Sequence, residues 1–192
     1  MTLKQIEKEV NICKKCQLCK SRTNAVPGEG SQRADIMFIG EGPGREEDKQ
    51  GRPFVGAAGK LLTQMIEHIG LDRKDVFIAN VVKCRPPNNR DPLQEEVDQC
   101  WDYLERQIKS IKPKIIVTLG RHSMARFLKD LKISQVHGSP KRAGGVWQKR
   151  QVYLPLYHPA VALYDPRKKE TLFKDFSIIP VLLKKIKADD TS

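Results

Sequence analysis

The sequence predicts an α/β fold, a mostly parallel central sheet of about four strands sandwiched by helices. Three observations carry that expectation. Four short segments have the apolar density of buried strands, stretches of helical periodicity separate them, and the chemically unusual residues gather in the loops that follow the strands. Strands alternating with helices at this spacing pair in parallel and are covered on both faces. Such sheets hold their chemistry beyond the carboxyl ends of the strands.

The four strand segments are ADIMFIG (34–40), DVFIAN (75–80), PKIIVTLG (113–120) and QVYLPLYHP (151–159). Between the first two, residues 57–69 put Ala57, Ala58, Leu61, Leu62, Met65, Ile66 and Ile69 on one helical face. In 93–111 the stripe is Leu93, Val97, Cys100, Trp101, Leu104, Ile108 and Ile111. Its start is expected at Asp91 as N-cap, with Pro92 in the first turn and Gln94 three residues past the cap. A third helix is expected over 121–130. A fourth is expected over about 170–187, where Pro180 marks a kink or a restart. There is no internal repeat and no linker; PPNNRDP reads as a loop, so residues 1–192 are expected to form one domain.

Lys and Arg number 35 against 23 Asp and Glu, a net charge of +12, which favours a polyanionic partner and makes nucleic acid the leading one. Lysine-rich surfaces also occur on proteins that bind no nucleic acid. No apolar run approaches the roughly 18 residues of a membrane span. The start MTLKQIEKEV alternates charge with aliphatics, unlike a signal peptide, so a cytoplasmic protein without membrane contact is expected. Five cysteines, three of them in CKKCQLC, point to metal ligation or redox chemistry and away from a disulfide framework.

A Cys-x2-Cys pair on a short loop can place two thiolates on one metal centre, and a complete site takes about four such ligands. Cys13 and Cys16 form the pair. Cys19 extends the spacing toward a ferredoxin-type run, but the cysteine that would complete that run is missing. Cys84, between Lys83 and Arg85, sits in a polar loop, whereas Cys100 lies on an apolar stripe and also reads as a small buried hydrophobe. By ligand type, zinc and [4Fe–4S] both remain open.

In the loops, GEGPG follows a strand like a phosphate cradle, yet Pro43 removes a backbone donor, Glu41 adds negative charge, and GxGxxG is not completed. Glu46, Glu47 and Asp48 read as a solvated acidic turn. His68, His122 and His137 fall late in helices or at element boundaries. His158 differs: it closes a strand segment, and Pro159 restrains its backbone. Asn80 closes another strand at the same sheet edge. An amide and an imidazole converging there could read the edge of a planar base, since Asn offers both donor and acceptor.

Taken together, CKKC, VPGEG, IGEGPGREEDKQGRPFVGAAGKLL, NVVKCRPPNNRDP with Cys100 downstream, and YHPA resemble the family 4 uracil-DNA glycosylases, the iron–sulfur branch of their superfamily. The likeness runs from Cys13 to about Leu183. It implies a structural [4Fe–4S] cluster on Cys13, Cys16, Cys84 and Cys100, with Cys19 spare. It also implies action on uracil in single- or double-stranded DNA, by a protein expected to be a monomer. Phe54 would stack on the flipped uracil, Asn80 would bond its pairing edge and His158 would donate to its O2. Glu41 is the expected catalytic carboxylate, Gly42 stands where other branches carry an aspartate, and Glu47 would shape the pocket near C5. Arg85 and Arg90 would touch DNA phosphates. Leu163 would be the wedge, with Val161 and Tyr164 as competitors. Two other classes share part of this sequence: a non-catalytic zinc or iron–sulfur nucleic-acid-binding protein, and an electron-transfer protein. The first gives no role to Phe54, Asn80 and His158; the second needs a redox partner surface that nothing in these loops supplies.

Overall fold

The computed structural model describes residues 2–144, 146 and 151–189. The chain opens with α1 (Leu3–Ile12) and the short α2 (Leu18–Ser21), then β1 (Glu29–Gly30), β2 (Ile36–Gly40), α3 (Arg45–Gln50), α4 (Ala57–His68) and β3 (Phe77–Asn80). A 3-10 turn (Pro87–Asn89) leads to α5 (Gln94–Ile111), β4 (Ile115–Leu119), α6 (Arg121–Ala125), α7 (Ile133–Val136), β5 (Lys141–Ala143) and β6 (Gln151–Leu156). α8 (Val161–Tyr164), α9 (Lys168–Phe176) and α10 (Ile178–Asp189) complete the described chain.

The sheet order is β1-β3-β2-β4-β6-β5, and its four central strands are parallel, as the alternating pattern predicts. β1 and β5 add antiparallel edges that the sequence analysis lacks, because two- and three-residue strands are too short to show a period. Each central strand is buried throughout, and apolar but for Asn80, Thr118 and Gln151, because each face meets helices. In β2, Met37 and Ile39 point into the core beneath α1 and α5, while Ile36 and Phe38 point into the core under α4, α9 and α10. Phe38 stacks on Phe176 of α9, ring centres 5.5 Å apart. Burying such a side chain contributes roughly 1.5–3 kcal/mol. No helix among the described residues is long and apolar enough to cross a membrane.

Four expectations shift at element ends. The N-cap position of α5 is Leu93, not Asp91: the Leu93 N–H donates to Glu96 Oε2 at 2.8 Å, and Arg90 grips both oxygens of that carboxylate. Asp91 turns away toward His122 and Arg121. α6 stops at Ala125 instead of running to 130, since Leu128 folds into the core and Asp130 takes a left-handed φ of 65°. The fourth predicted helix is two, α9 and α10, with Pro180 in the first turn of the second, where its missing N–H would have no helical partner. β6 ends at Leu156, so His158 lies on the turn beyond the strand.

A restart at Pro180 predicts that Pro180→Ala changes unfolding stability by less than about 1 kcal/mol in urea titrations. A loss of several would mean that the proline holds a bend the fold depends on.

Candidate active site

The parallel register aligns Gly40 of β2 with Asn80 of β3, and Leu119 of β4 with Leu156 of β6, on one rim of the sheet. The loops above this rim enclose a cavity of about 400 Å³ lined by Glu41, Glu47, Phe54, Asn80 and His158 among others. Gly40 makes the convergence possible. A Cβ there would overlap the amide oxygen of Asn80 and the ring of Phe54.

Phe54 is buried with a left-handed φ of 51°, a conformation that costs a bulky residue about 1–3 kcal/mol. Its surroundings impose that geometry. Glu47 Oε1 accepts the N–H groups of Val55 and Gly56, both at 2.9 Å, and Arg73 donates to the carbonyls of Pro53 (2.8 Å) and Phe54 (3.1 Å). Gly59 in the first turn of α4 lets the helix backbone lie against the Phe54 carbonyl, where a Cβ would collide. Arg73 is itself held by Glu29 at 2.8 Å.

Asn80 is 1% exposed, and its Oδ1 has no hydrogen-bond partner, an arrangement that costs free energy unless a ligand supplies a donor. The His158 ring centre lies 5.6 Å from that of Phe54. Its Nδ1 accepts the Ala160 N–H at 3.2 Å, which assigns the proton of the neutral ring to Nε2. Burial pushes the His158 pKa down to about 4, against the pull of the Glu47 charge. At neutral pH the ring is therefore an uncharged donor.

Glu41 lies beside the same cavity. Burial, reinforced by the charge of Asp91 and opposed by Arg121, raises its pKa to about 7. Its Oε1 has no hydrogen bond, with His122 Nδ1 3.9 Å away, while His122 Nε2 is 3.2 Å from Asp91. His122 and Asp91, which sit at element boundaries in the sequence, are thus neighbours of the site; the position of the GRHS loop after a central strand is the signal for His122. Gly42 also lines the cavity and has no room for a side chain, since a Cβ would come within 2.8 Å of a Val82 methyl. The acidic turn is not solvated as expected. Asp48 is buried and accepts the Thr23 N–H at 2.9 Å, Glu47 faces the cavity, and Glu46 alone of the three keeps to the surface ion pairs with Arg45 and Lys49.

On α8, just after the turn that carries His158, Leu163 and Tyr164 project into solvent (50% and 89% exposed), whereas Val161 packs against the core. Arg90 is committed to buried Glu96, and Arg85 Nε donates to Asn89 Oδ1 at 2.7 Å.

The cysteines form a second centre. Cys13, Cys16, Cys19, Cys84 and Cys100 are all free and line one small recess between the end of α1, α2, the loop after β3 and α5. Arg22 Nη1 donates to Cys84 Sγ at 3.0 Å while its Nη2 holds the carbonyls of Asn11 and Cys13, and the Lys83 N–H donates to Cys100 Sγ at 3.3 Å. Burial raises the Cys84 thiol and pushes Cys100 to about 11. That is the reverse of what a nucleophilic cysteine needs, and suits thiolates that form only when a metal centre binds them. Among the described residues, the trio whose ligand atoms lie within 4.8 Å of one another is Glu41, Asp91 and His122; no three cysteine sulfurs approach so closely.

Comparison with known proteins places these two centres in context. The family described as the Uracil DNA glycosylase superfamily matches residues 27–177. A type-4 uracil-DNA glycosylase of Sulfurisphaera tokodaii is 55% identical over 187 residues, covering 93% of this chain and 83% of the relative. The corresponding protein of Archaeoglobus fulgidus is 50% identical over 184 residues, with 93% and 92% covered. A type-5 uracil-DNA glycosylase of Pyrobaculum aerophilum is 31% identical over 153 residues, covering 70% of this chain and 65% of that protein.

The close approach at Gly40 carries its own test. Gly40→Ala should lower unfolding stability by about 1–3 kcal/mol, as overpacking does elsewhere. Stability equal to the parent in denaturant titration would contradict the contact between Gly40, Phe54 and Asn80.

Proposed function

The chain belongs to the uracil DNA glycosylase superfamily, within its type-4 branch, and on that premise we propose that it excises uracil from single- or double-stranded DNA as a monomer, leaving an abasic site for base excision repair. The observation that carries this reading is the orphaned amide oxygen of Asn80 beside the uncharged donor His158. Uracil offers the complement to both: an N3–H donor and an O2 acceptor on one edge.

A base within a duplex is out of reach, so the target nucleotide is flipped, at a cost of a few kcal/mol that pocket contacts offset. Phe54 stacks on the extruded ring. Asn80 Oδ1 accepts N3–H, and His158 Nε2–H donates to O2. As the N1–C1′ bond lengthens, its electron pair moves into the ring and negative charge grows on O2. A fixed neutral donor strengthens its bond most at that point, so it favours the transition state over the substrate. Glu41 then takes a proton from the water that adds to C1′, and the uracil anion leaves. Glu47 closes the pocket near C5 against thymine's methyl group, using the same side chain that shapes the Phe54 loop. Leu163, with Tyr164 beside it, fills the gap in the stack. The net charge of +12 favours the DNA backbone; Arg85 contacts phosphate there, and Arg90 does so while keeping its pair with Glu96.

Cys13, Cys16, Cys84 and Cys100 would hold a [4Fe–4S] cluster, with Cys19 as the spare. A single zinc with Zn–S bonds of about 2.3 Å needs sulfurs about 3.8 Å apart, and among the described residues no three of these sulfurs lie within 4.8 Å of one another. Glycosidic hydrolysis transfers no electrons, so when bound the cluster supplies cross-linking: it ties the N-terminal segment to α5 and the loop after β3.

Three outcomes are expected. In an alkali-cleavage assay the protein breaks a uracil-containing strand, and Asn80→Ala lowers kcat/KM by about 10²–10³, the scale of losing an oriented active-site contact; no cleavage by metal-replete protein would leave the non-catalytic nucleic-acid binder. The pH profile of kcat/KM should rise with a midpoint near pH 7 and level off above about pH 8 as Glu41 ionises, and Glu41→Gln should flatten it. An acid limb abolished instead by His158→Asn would give that titration to the imidazole. Anaerobically purified protein should hold about four irons with matching sulfide, lost in Cys100→Ala, whereas one zinc per chain would replace the cluster assignment.

A further inference from the structure

Lys83 lies at the edge of the cysteine recess, and its side chain reaches back toward the strand end that carries Asn80. It is 1% exposed, one of the largest fully buried side chains of the protein. Its Nζ donates to the carbonyl of Asn80 at 2.9 Å and to Gln107 Oε1 at 2.7 Å, and its own N–H donates to Cys100 Sγ. Gln107 and Cys100 stand seven residues apart on α5, about two turns, and so face Lys83 from the same side of the helix. Gln107 Nε2 continues the chain of bonds to the Pro27 carbonyl at 2.8 Å. Burying an ammonium among neutral acceptors is costly, and an aliphatic residue would fill this space without that cost.

The bond to Asn80 indicates what the ammonium does. Beyond the end of β3, the N–H groups of Val81 and Val82 still pair with the carbonyls of Gly40 and Glu41, and Val26 donates to the Lys83 carbonyl. The peptide joining Asn80 to Val81 is therefore held on both sides, its N–H by the Gly40 carbonyl and its carbonyl by the lysine three residues later. Rotation of that peptide would swing the Asn80 side chain, whose Oδ1 already lacks any partner of its own.

We propose that Lys83 is a positioning residue for uracil recognition: anchored by Gln107 to the cysteine-bearing helix, it fixes the Asn80 peptide and so the direction in which the Asn80 amide meets the base. This rests on the reading of Asn80 as the uracil-binding amide. It also gives the cysteine centre a physical route to the pocket, through α5 and one side chain.

The test is a double-mutant cycle in the full, metal-replete protein. Lys83→Met keeps the length of the side chain and removes its donors. Iron content should stay at the parental value and affinity for abasic-site DNA should hold within about twofold, while kcat/KM on a uracil oligonucleotide and affinity for free uracil both fall about tenfold. In an Asn80→Ala background, Lys83→Met should change kcat/KM by less than about twofold. If the two losses multiply, or if free uracil binds Lys83→Met as it binds the parent, Lys83 is structural and the proposal fails while the role of Asn80 stands. If Asn80→Ala alone keeps parental kcat/KM, the underlying reading fails and takes the proposal with it. Should Lys83→Met lose its iron, Gln107→Met removes the anchor, together with the bond to the Pro27 carbonyl, and leaves Lys83 in place. It should weaken free uracil about threefold with abasic-site DNA unaffected, and unchanged uracil affinity would overturn the proposal.

Discussion

The site depends on one steric constraint, the meeting of three elements over a residue with no side chain. Parallel pairing of β2 and β3 sets Gly40 level with Asn80, and the bare Cα of Gly40 admits both the Asn80 amide and the Phe54 ring to the same space. The strained backbone of Phe54 persists because Glu47, Arg73 and the close-packed α4 leave its loop no relaxed alternative. Opposite, the turn after β6 presents His158, with the Ala160 N–H fixing which ring nitrogen carries the proton. The polar groups of the pocket are thus oriented before any ligand arrives, and little reorganisation is needed when charge develops.

The cysteine centre solves a different problem. α1 and α2 bury little apolar surface of their own beyond Ile6, Val10 and Leu18, so the N-terminal segment gains from a cross-link. Arg22 bridges Cys84 to the carbonyls of Asn11 and Cys13, joining by hydrogen bonds the same pieces that the thiolates would join through a metal centre. A cationic donor beside buried sulfur also favours the thiolate, offsetting part of the desolvation that raises these thiols.

The central strands and the two long helices were legible in the sequence because continuous apolar runs and 3.6-residue stripes leave a strong signal there. Ends of elements were less legible. Asp91-Pro92 looks locally like a helix start, but the Arg90–Glu96 pair moves the cap to Leu93. Asn80 and His158 could be singled out since they close strand segments on one rim. The duties of Glu47 and Asp48 as acceptors for distant backbone N–H groups could not be, because nothing in a run of acidic residues says which way each one faces. Lys83 was not legible as a buried residue, because Gln107, the side chain that receives its ammonium, lies 24 residues away on another element.

The most direct measurement is a crystal structure of the metal-replete protein with free uracil bound. The base should stack on Phe54, with its N3 within hydrogen-bond distance of Asn80 Oδ1 and its O2 on His158 Nε2. Uracil bound elsewhere, or seated in the cavity with the Asn80 oxygen still unpaired, would contradict this placement.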